Sequence, residues 1–144
     1  MPVLAASLFF VFAVVGGVHL LWALRIWWPI SDEALLARSV VGTGGITRMP
    51  APAITFAVVG LIALGMAWIV FLAGWAAPPL PGWLVKLGGI VMAAVLLLRG
   101  AGSYAAPLFG LEQEPEFSRL DRRWFAPLIL ALGAGVAVLT LTSG

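Results

Sequence analysis

Four apolar stretches, each about as long as a membrane is thick, alternate with shorter polar ones along the chain. The first runs from Val3 to Ile26 and exceeds the ~20 residues that cross a hydrocarbon core of ~30 Å. The second covers Ala53 to Leu72, and the fourth covers Ala126 to Leu141, begun a turn or two earlier. The third opens after the breaker Pro78-Pro79-Leu80-Pro81-Gly82 and is apolar to Leu98. Stopped there it is short for a span; carried to Ala106, just before Pro107, it reaches spanning length and holds Arg99 inside the membrane. We adopt the longer helix. The pattern predicts an all-α integral membrane four-helix bundle, one transmembrane domain over residues 1–144, with helices at about 3–28, 53–74, 83–106 and 120–142.

Composition removes the soluble alternative. Of 144 residues, 62% are hydrophobic and 10% charged, whereas a soluble domain carries roughly a quarter charged residues. No Lys or Arg precedes Arg25, so the first stretch lacks the basic n-region of a signal peptide and is read as an uncleaved helix. Cysteine is absent, which excludes thiol–disulfide exchange, thiolate-ligated metals and iron–sulfur clusters. The pI of about 9.9 comes from a net charge of only +2, too little for a nucleic-acid footprint. The partner that composition demands is the lipid bilayer.

The few charges give an orientation. With four spans, the first and third loops share a face, and Arg25, Arg38, Arg48, Arg99, Arg119, Arg122 and Arg123 lie there or at its border, with Lys86 alone on the other side. Cytoplasmic loops hold the excess of Lys and Arg, so both polar loops are expected in the cytoplasm and both termini on the non-cytoplasmic side. Trp27, Trp28 and Trp124 mark one headgroup belt, and Trp75 and Trp83 the other.

Polar groups where polarity is expensive are the candidates for chemistry. His19 sits nine residues before Trp28, roughly 13 Å below the belt if the helix continues that far. Gly16, His19 and Trp22 share a helix face. His19 is read either as a neutral histidine hydrogen-bonded to a neighbouring helix or as a proton-handling or ligand-contacting group, since its unperturbed pKa is near 6.5. Arg99 must pair or snorkel, and Asp121, near the start of the fourth helix, is the obvious partner; that acid also suits the helix dipole. The candidate ligand or proton site is therefore His19, Trp22, Arg99 and Asp121, with Arg99 and Asp121 also candidates for a structural ion pair. With one histidine and no cysteine, neither a metal site nor a cofactor is expected. Gly42-Thr43-Gly44-Gly45 lacks the lysine and following helix of a P-loop and is read as a mobile loop. Small residues at Gly60, Ala63, Ala67, Gly74, Gly89, Ala93, Gly133 and Ala137 suit close helix contact. A weak parallel repeat also suggests itself: Leu24-Arg25 precedes Ala51-Pro52 by nearly the spacing at which Leu98-Arg99 precedes Ala126-Pro127.

Together, His19-Leu20-Leu21-Trp22-Ala23-Leu24, Arg99 with Gly102, Phe117-Ser118-Arg119-Leu120-Asp121 and Ala126-Pro127-Leu128 resemble a family of small bacterial four-helix membrane proteins catalogued as domain of unknown function 3995. Arg25-Ile26 stands where that family usually has two glycines, Ser103 replaces an expected acid, and Ile129 a frequent cysteine. The resemblance implies the four-helix fold and a bacterial inner membrane; it implies no reaction.

Three functions stay open. One is a polar site in the cytoplasmic half of the bundle for a small molecule, lipid head group or proton. Another is a non-catalytic assembly or stabilising subunit, acting through helix packing in a homo-oligomer or larger membrane complex. The third is a membrane-embedded enzyme acting on a lipid or isoprenoid, with His19 as acid/base and Arg99 holding an anion. No zinc-type or nucleophile-elbow motif supports that third reading.

Overall fold

The computed structural model describes residues 1–144 and contains helices but no strand. Six α-helices follow in order: α1 (Pro2–Ala23), α2 (Glu33–Val40), α3 (Pro52–Leu72), α4 (Gly82–Ala105), α5 (Pro115–Leu120) and α6 (Ala126–Thr142). A 3₁₀ turn over Ala106–Phe109 prolongs α4, and a π turn over Asp121–Phe125 joins α5 to α6 without a break. Proline stands in the first turn of α1, α3, α5 and α6, where its missing N–H has no helical partner to lose.

Four helical segments are long and apolar enough to cross a membrane: Pro2–Ala23, Pro52–Leu72, Gly82–Phe109 and Pro115–Thr142. At 1.5 Å per residue they measure roughly 33, 32, 42 and 42 Å, so the last two overshoot a ~30 Å core. α1 packs chiefly on α3 and α4 chiefly on α6, while α3 meets α4 more thinly. The main core, which includes Ala5, Leu8, Ile69, Leu72, Val85, Ala93, Val136 and Leu139, lies in the half of the bundle remote from the long loops.

Two boundaries depart from the hydropathy pattern, and the end of α4 follows the longer reading. α1 ends at Ala23 rather than near 28. Arg25 adopts φ +63°, its N–H donates to the Trp22 carbonyl at 3.0 Å, and the Ile26 N–H reaches back to Leu21 at 2.8 Å. This is the left-handed stop that glycine usually makes, here made by arginine, so Trp27 and Trp28 belong to the loop. α4 continues through Arg99 to Ala105. The last span begins at Pro115, earlier than 120, and widens at the π turn, where the Ala126 N–H donates to Asp121. Pro127 explains the widening: it offers no N–H to the Arg123 carbonyl, and its ring would crowd that oxygen in a regular α-helix.

The first loop folds on itself. Asp32 caps α2 by accepting the Leu35 N–H at 2.7 Å, Glu33 lies in its first turn and Arg38 in its last, as the helix dipole favours. The buried face of α2, Leu36 and Ala37, joins Met49 in a second small core that packs on Trp22, Trp27 and Ile30. The glycine loop is fastened rather than loose: Glu114 donates its N–H to the Gly42 carbonyl at 3.1 Å and its carboxylate accepts from the Gly45 N–H at 2.9 Å.

The small residues divide. A Cβ on Gly133 would press into Leu97, and one on Gly89 would overlap Thr140, so α4 and α6 approach closely there. Gly60 has nothing near it and takes no part in packing within the chain. The indole of Trp68 lies against Gly88 and donates to the Val85 carbonyl at 2.9 Å, linking α3 to α4.

Candidate functional site

The four residues singled out from the sequence make their direct contacts in two pairs. On α1, the rings of His19 and Trp22 lie 4.9 Å apart, tilted by 55°, as the three-residue spacing on one helix face allows. His19 Nδ1 is 2.8 Å from the Val15 carbonyl of its own helix. A carbonyl can only accept, so Nδ1 carries the proton and Nε2 is left with a lone pair in the neutral ring. No protein group hydrogen-bonds Nε2. Trp22 Nε1 donates to the Trp28 carbonyl at 2.7 Å, and its ring packs on the α2 core. Because α1 stops at Ala23, His19 lies roughly 6 Å from the helix end, shallower than a helix reaching Trp28 would place it.

The second pair joins α4 to the π turn. Arg99 Nη2 donates to Asp121 Oδ1 at 3.0 Å and Nη1 donates to Oδ2 at 3.3 Å, an end-on bidentate fork. Nη1 also donates to Ser103 Oγ at 2.5 Å, and Phe117 lies under the guanidinium, 5.9 Å from its centroid. The pair is lopsided in exposure: the Asp121 side chain is 2% accessible, that of Arg99 43%. The wide turn before Pro127 carries Asp121 itself, so the local irregularity and the buried carboxylate share one stretch of backbone. Arg99 stands roughly 24 Å beyond Trp83 along α4, towards the loop end of the span.

Guanidinium has five N–H donors, and three are used here: two on Asp121 and one on Ser103. The remaining two, Nε–H and the outer Nη2–H, lie parallel along one edge of the plane. That edge has the geometry of a second fork for a carboxylate or phosphate.

The polar loops hold more unpaired cations than unpaired acids. Five of the six acids are engaged: Asp32 caps α2, Glu33 accepts the Met49 N–H and faces Arg25 at 3.6 Å, Glu114 holds Gly45, Glu116 pairs with Arg119, and Asp121 holds Arg99. Arg38, Arg48, Arg122 and Arg123 have no acid partner. Arg122 Nε donates to the Ser118 carbonyl, and Arg123 stacks over Trp124 at 5.4 Å.

Ser103 and Phe117 entered the sequence reading only through the family motifs and were not placed in the site. The i, i+4 spacing from Arg99 to Ser103 was a further signal for the first; Phe117 had the motif alone, because its approach depends on how α5 folds back. No cluster of three or more metal-ligating side chains is present.

Fold and site together define a small four-span helical membrane protein with an ion-paired, partly open arginine near one end of the bundle. The family model described as protein of unknown function (DUF3995) matches residues 12–136, and the chain belongs to that family. The resemblance carried by the motifs from His19 to Pro127 is borne out. No curated protein and no solved structure matches the chain.

Proposed function

We propose that the protein holds an anionic group at Arg99, in the half of the bundle that carries both polar loops, with those loops in the cytoplasm of a bacterial inner-membrane protein. The supporting observation is the division of labour in one guanidinium. Its end is fixed by a buried carboxylate while its side fork stays free on a side chain that is still 43% exposed. Asp121 orients the arginine and neutralises it in the absence of ligand, so the site need not hold a bare charge at depth. Unpaired Arg122 and Arg123 nearby raise the local concentration of anions. His19, with Nε2 open beside Trp22, offers a second polar contact at this end of the bundle; double substitution tells whether its pair and the arginine serve one ligand.

The test is thermal unfolding of the purified protein in uncharged detergent with inorganic phosphate, against chloride at equal ionic strength. Phosphate at about ten times its Kd stabilises by about 1.4 kcal/mol, a rise of roughly 3–6 °C for a chain of this size. Arg99→Lys keeps a charge for Asp121 and loses the side fork, so it should fold and lose the phosphate-specific shift. An equal shift in both proteins overturns the reading.

A second reading, assembly with another copy through α3, is favoured by one observation. Ala53, Ala57, Gly60 and Ala63 fall on an exposed small-residue stripe, and Gly60 has open space around it. Native mass spectrometry from gentle detergent distinguishes the two: a strict monomer sinks this reading and leaves the first untouched.

A further inference from the structure

Because α3 and α4 meet thinly, an apolar groove of about 620 Å³ runs between them, lined by Leu61, Leu64 and Trp68 on one side and Leu84, Val91 and Val95 on the other. On α4 the lining advances in helical steps, and Arg99 is the next residue on that face, four beyond Val95 and three beyond Leu96, which also lines the groove. The groove therefore leads, within roughly one helical turn, to the arginine whose side fork is unused. An apolar slot with an open cation about one turn beyond its end is the negative image of an amphiphile.

We propose that this groove and Arg99 form one site for an anionic phospholipid, the tail lying between α3 and α4 and a phosphate oxygen pair meeting Nε–H and Nη2–H. The inference rests on the anion reading of Arg99 and adds the ligand class. The lining argues for a hydrocarbon chain over a second helix. The glycines that would admit a second backbone are already covered, Gly65 by Phe12 and Met92 and Gly88 by Trp68. What remains is an apolar slot with the indole of Trp68 in its lining.

Trp68 supplies the probe. The full-length protein is placed in phosphatidylcholine vesicles containing dibrominated phosphatidylglycerol or dibrominated phosphatidylcholine, whose bromines quench tryptophan on contact. The quenching lost in Trp68→Phe is the Trp68 contribution. The brominated phosphatidylglycerol should reach half-maximal quenching of that contribution at about fivefold lower mole fraction than the brominated phosphatidylcholine. Arg99→Lys should remove the fivefold preference while leaving quenching itself, and Val91→Phe, which narrows the slot at mid-length, should weaken quenching by both lipids. Equal quenching in the wild type, or a preference that survives Arg99→Lys, overturns the proposal and reduces the groove to ordinary lipid contact. Absence of quenching by either lipid also overturns it. If inorganic phosphate still stabilises the protein in an Arg99-dependent way in those cases, the anion reading stands and only the lipid is lost.

Discussion

Arg25 and Arg99 follow a leucine near the loop end of the first and third spans, and both reach an acid, yet they do opposite things. Arg25 breaks its helix, standing at φ +63°, and its side chain lies over the loop: Nη1 donates to the Pro50 carbonyl at 2.9 Å, Nη2 faces Glu33 at 3.6 Å, and the group stacks over Trp27 at 4.9 Å. Arg99 stays inside α4 and grips a buried carboxylate with both terminal nitrogens. One arginine spends its donors on the backbone and rings of its own loop; the other keeps a pair in reserve. The difference teaches that where a cation sits relative to the helix end decides whether it becomes loop structure or a site. Beyond α1 the chain has already left the helix and offers the Pro50 carbonyl, whereas Arg99 inside α4 meets the side chains of Ser103 and Asp121.

Substitutions can sharpen that contrast. The largest effect is expected for Arg99→Ala, which leaves Asp121 buried without a counter-charge. The cost should be about 3 kcal/mol, at the low end for broken buried pairs because Arg99 is itself partly exposed, and is read from denaturant titration in mixed micelles. The double variant Arg99→Ala/Asp121→Asn should recover most of it. A cost below about 1 kcal/mol for the single variant would show that water already reaches the carboxylate. Arg25→Ala comes next, at about 1–2 kcal/mol, because it loses the Pro50 bond and the contact with Trp27 yet keeps an unfavourable left-handed residue. Smallest is Arg25→Gly. Relief of the left-handed strain, about 1 kcal/mol, offsets the lost side-chain contacts, so stability should stay within about 1 kcal/mol of the parent. If Arg25→Gly instead proved as harmful as Arg25→Ala, the arginine's worth would lie wholly in its side chain.

The long helices were legible because crossing a hydrocarbon core imposes length and apolarity together, and Ala53 to Leu72 leaves no other choice. Arg99 and Asp121 drew attention because charge at depth is costly. The end of α1 was misread: the stop is made by arginine in a conformation that sequence patterns associate with glycine, and the only sign of it was the family's usual pair of glycines at Arg25-Ile26. The short helix α2 and the fastening of Gly42 to Gly45 were hidden for a different reason. Both are polar and local in sequence but depend on distant partners, Met49 for the one and Glu114 for the other. The spare fork on Arg99 was unreadable in principle, since it is defined by which donors remain after Ser103 and Asp121 have taken theirs.

Glu114 ties the two loops across 69 residues, and that separation has a meaning in time. Chains leave the ribosome at roughly 5–20 residues per second, so the first loop waits on the order of 3–14 seconds before the carboxylate that fastens it exists. During that interval α1 and α2, and α3 once it is made, stand without their clasp. The Asp32 cap, the Glu33 contact with Met49 and the Trp22 packing, all encoded within the first half, are what hold the early half in shape until the later one arrives.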